Sequence, residues 1–284
     1  MHKPVIAIIA PGQMGAGIGA RLSAGGARVL TSLKGRSRAS AERAARAGMA
    51  DAPPSALATA DILLSIVPPA QARSLAEELA AALRASERKP VYVDCNAINP
   101  QTARKVADTV EATGTSFVDG GIIGGPPREG YAGPVLYVSG AQAQRVQVLD
   151  ELGLKVRRID GDFGAASALK MSYAGITKGL TAIGAAMALS AERAGVAQAL
   201  HAELAASQPA LLAYLTRGVP DMFGKAYRWV AELEEIASFT GREAERDMCT
   251  GMADLYRRLA QEVHEDGPDI AALRAAFPKP AKPA

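Results

Sequence analysis

The sequence predicts a doubly wound α/β domain followed by an all-α domain, with the change near residue 160. Three observations predict it. Short β-rich runs alternate with helix-length segments through the first half, and several of the runs are apolar almost throughout. From residue 164 onward, Ala, Leu, Met and Ile continue with no strand-like run. Strand–helix repetition points to a parallel sheet, and a strand covered by helices on both faces has no polar side to show.

The β-rich runs lie at 4–10, 27–32, 61–67, 90–95, 115–120, 134–140 and 154–159, and amphipathic helices are expected at 14–25, 37–47, 70–86, 100–112 and 142–151. The second half reads as one long helix over 164–194, then helices at 197–216, 220–239, 242–264 and 268–276, with breaks near Pro209, Pro220 and Pro268. The proline-rich tail from Phe277 reads as a frayed end. The expected domains are 1–160 and 161–284.

Composition removes several function classes. Among 284 residues, 49% are hydrophobic, which excludes disorder as the main state. The formal net charge of +3 is too small and too dispersed to recruit nucleic acid. Two cysteines without a CxxC pair exclude a disulfide framework or a Cys-rich zinc site, and they fit a reducing cytoplasm. The longest uncharged run, Pro4–Ala20, is shorter than the ~20 apolar residues of a spanning helix. A soluble, cytoplasmic protein acting on a small molecule is expected, with neither membrane nor nucleic acid as partner.

That uncharged run has a better explanation. Ala10-Pro11-Gly12-Gln13-Met14-Gly15 stands between a buried strand and a helix, where the dinucleotide fingerprint GxGxxG lets backbone N–H groups and a helix N-terminus meet a pyrophosphate. Gly12 and Gly15 fill the second and third glycine positions, while Ala10 at the first requires a negative φ. A turn needed only for helix–strand packing would read the same way. At the end of the second strand an NAD site carries an acid for the ribose 2′-OH, but residues 30–40 contain none. Thr31, Ser32, Lys34, Arg36, Ser37 and Arg38 suit a 2′-phosphate instead, favouring NADP(H) over NAD(H); a solvated basic loop is the alternative.

His2, His201 and His264 show no ligand or triad spacing, and no paired-carboxylate or Walker-type motif occurs. Chemistry falls to Lys170, which with Lys178 supplies the only charges of the Ala/Gly-rich stretch 164–184 and either snorkels to water or serves a pocket as proton donor and acceptor. Lys178 lies roughly 80° further round that helix. Cys95 reads as a buried, inert thiol.

With "APGQMG" at 10–15, "LLSIVPP" at 63–69, "FVDGGIIGGPPREGYAGP" at 117–134 and the Lys170 helix in this order, the chain resembles the β-hydroxyacid dehydrogenases. "DCNAINP", "ALKMSYAGITKG" and "RWVAELEEIA" are similar to the branch with a 6-phosphogluconate-dehydrogenase-like C-terminal domain. The resemblance implies a Rossmann domain joined by a long interdomain helix to a helical domain, and a homodimer through that helix. It implies that Gly12, Gln13, Met14 and Gly15 bind pyrophosphate and ribose, that Ser32, Arg36 and Ser37 form the 2′-phosphate turn, and that Val67, Pro68 and Asn96 line the nucleotide trough. It gives Lys170 the general acid–base role in a hydroxyl–carbonyl interconversion, and Gly124 and Gly125 the substrate loop.

The departures bear on substrate. Ile123 replaces the loop serine, Ala174 replaces the asparagine four residues after the lysine and leaves Tyr173 beside it, and Glu232 falls where the family has a later lysine. These changes open the way to a bulkier, less anionic or amine-bearing substrate. Arg228 and Trp229 offer a cationic stacking wall, with ordinary helix packing of Trp229 as the alternative. Imine reduction on the same fold, or cofactor binding without turnover, are the competing functions.

Overall fold

The structure, a computed structural model, describes residues 3–128 and 130–278. The chain divides into two compact units, Met1–Met171 and Ser172–Ala284. The first unit runs β1 (Val5–Ile9), α1 (Gln13–Ala24), β2 (Arg28–Thr31), α2 (Arg38–Arg46), β3 (Met49–Asp51), α3 (Pro54–Leu57), β4 (Ile62–Ser65), α4 (Ala72–Ala85), β5 (Val91–Asp94), α5 (Pro100–Glu111), β6 (Ser116–Ile123), β7 (Val135–Ser139), α6 (Val148–Glu151) and β8 (Val156–Arg158). The eight strands form one sheet in the order β3-β2-β1-β4-β5-β6-β7-β8, parallel except where β7 runs against β6.

Each inner strand supplies two cores. Ile6, Ile8, Val29, Leu64, Val93 and Val118 pack with residues of α1 and α6 on one face. Ala7, Ile9, Leu30, Leu63, Tyr92 and Phe117 pack with those of α3, α4 and α5 on the other. This two-sided burial is why the strands are apolar at nearly every position. The result is the predicted Rossmann-type sheet, with a helical region after it.

That region begins with α7 (Ala165–Arg193), which starts in the first unit and continues through the second, and goes on with α8 (Ala197–Ser207), α9 (Pro209–Met222), α10 (Ala226–Thr240), α11 (Glu243–Glu265) and α12 (Pro268–Ala276). By length and composition α7 matches a bilayer span, yet half of its most apolar window is buried inside the protein. In the second unit Tyr214 Oη donates to Thr177 O at 2.7 Å and Tyr256 Oη to Lys178 O at 2.6 Å.

Several expected boundaries move. The strand β3 and the single-turn α3 were not expected, and the 197–216 helix divides before Pro209, which takes the first position of α9. Pro220 does not break α9 but lies buried within it, two residues from its end, where it withholds its own N–H from the Thr216 carbonyl and only two helical residues follow. Phe277 is buried, so the core reaches one residue into the expected tail; residues 279–284 of that tail lie outside the described residues.

Candidate functional site

The first unit gathers most of the expected site at the carboxyl edge of its sheet. Gly12–Gly15 follow β1, Ser32 follows β2, Val67 and Pro68 follow β4, Asn96 follows β5 and Ile123 ends β6. Open α/β sheets bind ligands at this edge. The fit to a pyrophosphate is direct. Gly12 precedes the twelve-residue α1 and gives it no side-chain cap, so its first N–H groups lack the usual side-chain acceptor. A Cβ on Gly12 would meet nothing within 4 Å, leaving room for a ligand, whereas one on Gly15 would collide with the Ala10 backbone. Ala10 meets its condition, since Asp266 is the one non-glycine with positive φ among the described residues.

Asn96 is anchored through its whole side-chain amide. It is buried, its Oδ1 accepts from Val67 N at 2.7 Å, and its amide nitrogen donates to Ser65 Oγ and Asp94 Oδ2, both at 2.9 Å. Its amide therefore braces the Val67–Pro68 turn from behind instead of presenting polar groups at the trough surface. Thr31 also leaves the basic loop: it is buried and donates to Ile8 O at 2.7 Å. Arg36 and Ser37 are exposed, Ser37 caps α2 through Ser40, and Arg38 turns to Glu42 at 2.9 Å. A residue that sequence reasoning missed stands beside them. Arg43 of α2 donates from Nε to Pro11 O at 3.3 Å and from a terminal nitrogen to Ser40 Oγ at 2.8 Å.

Lys170 occupies the second turn of α7, and the start of that helix is fixed by a buried acid. The Asp119 carboxylate of β6 accepts from Ser139 Oγ at 2.8 Å, from Ala166 N at 3.0 Å and from Ser167 N at 3.1 Å, and also from Ser167 Oγ. The negative charge sits against the helix N-terminus, where the orphan N–H groups and the dipole both favour it. Two residues along β6, Gly121 lets the helix settle onto the strand, since a Cβ there would stand 2.9 Å from Ala166 O and 3.1 Å from Lys170 Cβ.

The segment after β6 is held to α1. Arg21 donates to Tyr131 O at 3.1 Å and to Ala132 O, and a Cβ on Gly17 would lie 2.8 Å from Pro127 Cδ. Gly124 has φ +121°, with the Tyr131 hydroxyl 2.8 Å from where a Cβ would be, so only glycine fits. Gly125 is open on its Cβ side, and Ile123 pairs with Val135 as a strand residue.

In the second unit Ala174 and Lys178 lie on the buried face of α7, while Tyr173 is 49% exposed on another. Glu232 accepts a salt bridge from Lys178 at 2.9 Å, and the Lys178 ammonium is 5.4 Å from the centre of the Trp229 ring, which packs edge-on against Tyr256. The cation beside Trp229 is therefore Lys178; Arg228 is exposed and lies over Tyr227. Glu232 is neutralised by a lysine on the neighbouring helix.

Cys95 is buried, and burial together with Asp94 and Asp119 pushes its thiol well above the ordinary range. A thiol-disulfide reagent at neutral pH is expected to titrate only the partly exposed Cys249 in the native protein and both thiols in guanidinium. Rapid native labelling of Cys95 would count against this packing.

Residues 5–156 match the family model described as the NAD binding domain of 6-phosphogluconate dehydrogenase, and residues 191–259 match a domain of unknown function, DUF1932. Over 87 residues the chain is 33% identical to 3-hydroxyisobutyrate dehydrogenase of Pseudomonas aeruginosa, covering 29% of this chain and 28% of that protein. The chain spans less than half the length of the curated relatives it matches. The solved 3-hydroxyisobutyrate dehydrogenase of Mycobacterium tuberculosis with L-serine superposes at a TM-score of 0.72 and 22% identity, over 96% of this chain and 99% of that one. An imine reductase from Myxococcus stipitatus in complex with NADP+ superposes at 0.53 and 22% identity, over 97% and 100%. At these identities the structural likeness is one of fold.

Proposed function

Because the chain belongs to the family of the 6-phosphogluconate dehydrogenase NAD binding domain, and is in coarse terms an NAD(P)-binding oxidoreductase of the hydroxyacid dehydrogenase type, we propose that it interconverts a hydroxyl and a carbonyl with NADP(H), using Lys170 as general acid and base. The observation that carries this reading is the seating of Lys170: one turn beyond a helix start clamped by Asp119, against β6, beside the edge that holds the glycine loop. When bound, the nicotinamide supplies or takes the hydride. The α1 N-terminus and Gly12 would hold the pyrophosphate, and the segment that runs from the turn after β2 into α2 would hold the 2′-phosphate. The Lys170 ammonium gives a proton to the carbonyl oxygen in reduction, and its amine takes the proton back in oxidation.

Fluorescence titration with NADPH and NADH, followed by a panel of aldehydes, keto acids and imines read at the NADPH absorbance band, tests this reading. Tight NADPH binding with carbonyl turnover supports it. Binding without turnover on any compound favours a regulator, and turnover on imines alone favours the second reading. That second reading, imine reduction, draws on Ile123 and Ala174, which remove a hydroxyl and an amide from positions the family uses for a carboxylate.

The homodimer is part of the same proposal. Leu169, Tyr173, Ile176, Leu180, Ile183 and Met187 are 36–65% exposed along α7, spaced by alternating fours and threes. Such spacing makes a continuous apolar seam, and a second copy of the chain covers it. Sedimentation at micromolar concentration is expected to give a dimer, and Ile183→Glu a monomer; a monomeric wild type overturns the assignment.

A further inference from the structure

We infer that Arg43, and not the arginines of the 36–38 turn, makes the chain distinguish a phosphorylated from an unphosphorylated adenosine ribose. The inference rests on the NADP(H) reading above and assigns its selectivity to a residue outside the turn that carries the family resemblance.

The case begins with which guanidinium is already in place. Arg36 is exposed, and Arg38 is 93% exposed and spends its Nε on Glu42. Fixing an exposed arginine on a ligand costs side-chain entropy that an already anchored one does not lose. Arg43 is partly buried and held at two points on different elements, the Pro11 carbonyl of the glycine loop and the Ser40 hydroxyl in the first turn of α2. Ser40 Oγ in turn lies 3.2 Å from Ser37 Oγ. A guanidinium has five N–H donors, so these two contacts leave three for an incoming anion. With the Ser37 and Ser40 hydroxyls at the start of α2, they make a mixed donor set suited to a phosphate monoester.

The one acid paired with the end of β2 points the same way. Asp51 is in register with Thr31, and its Oδ1 accepts from Leu33 N at 2.8 Å. It closes the turn after the strand, and that oxygen is already engaged by the backbone. Arg43 also links two events. A phosphate on its guanidinium bears on the Pro11 carbonyl, so it stiffens the loop that receives the pyrophosphate.

The test uses nucleotide binding and needs no substrate. NADPH and NADH are titrated by fluorescence, and 2′,5′-ADP and 5′-AMP compete against them, on the wild type and on Arg43→Ala, Arg43→Lys and Arg36→Ala, each first checked for an unchanged melting temperature. Arg43→Ala is expected to weaken NADPH and 2′,5′-ADP by about 30-fold or more and NADH and 5′-AMP by less than about 3-fold, as loss of a charge-assisted pair implies. Arg43→Lys recovers part of this, since an ammonium lacks the planar fork. Equal losses for all four ligands in Arg43→Ala make the residue only a brace for the glycine loop and overturn the inference, as does Arg36→Ala carrying the whole effect. A wild type that binds NADH as tightly as NADPH removes the NADP(H) reading itself. A wild type that prefers NADPH, with Arg43→Ala unchanged, removes only the part assigned to Arg43.

Discussion

Replacing Lys170 with Met is expected to lower turnover by about 10³-fold while NADPH affinity stays within about two-fold, the usual loss when a positioned proton donor is removed. The substitution keeps the length and apolar stem of the side chain, so α7 has no packing reason to move. The wild type must first be matched to a compound from the panel, and the two proteins are then compared on that compound across pH. Loss of the wild-type dependence on one ionising group, with a flat residual rate, identifies Lys170 as that group. A variant that keeps the full rate and the same profile ends the general acid–base assignment, whatever the nucleotide preference.

Removing the Asp119 carboxylate is the second large effect. Asp119→Ala takes from the Ser167 amide and hydroxyl the acceptor they share and leaves the Ala166 amide with only Ser139 Oγ at 3.1 Å. Buried donors stripped of an acceptor cost about 1–3 kcal/mol each, so the loss of stability is expected to exceed about 3 kcal/mol. Urea unfolding followed by circular dichroism measures it. Asp119→Asn keeps one acceptor oxygen and is expected to lose less, although its amide faces an N–H at the other position. If both variants unfold at the wild-type midpoint, the helix start is held by something other than this carboxylate.

How far the sequence could be read depended on the length of the signal. β1, β4 and β5 were legible because each is an uninterrupted apolar run ending at a turn residue. β3 was not, because it is three residues long with one buried side chain. The part of β6 beyond the expected end at Gly120 was hidden by the Gly120–Gly121 pair. They are strand glycines because Asp94 O lies 2.7 Å from a Cβ at the first, and Ala166 O and Lys170 Cβ press on the second. The reversal of β7 was available in principle: the described residues of 124–134 contain no helix, and a parallel crossover needs about a dozen residues or more. Within the candidate site, the glycine loop and Lys170 were visible as local motifs. Arg43, Arg21 and Asp119 were not, since each acts on a partner 32 to 111 positions away, and nothing in its own neighbourhood announces that partner.

The tie between α1 and the segment after β6 constrains anyone who would redesign specificity. Exchanging residues 124–134 for the corresponding stretch of another member of the family looks like a self-contained swap, because both ends lie in one antiparallel pair. Yet the stretch rests on Gly17 and is gripped by Arg21, both on the helix that caps the nucleotide end of the sheet. A transplanted segment with a bulkier residue at 127, or with its backbone carbonyls displaced at 131 and 132, would lever on that helix. Chimaeras that carry residues 17 and 21 along with the segment should retain nucleotide binding where the bare exchange loses it.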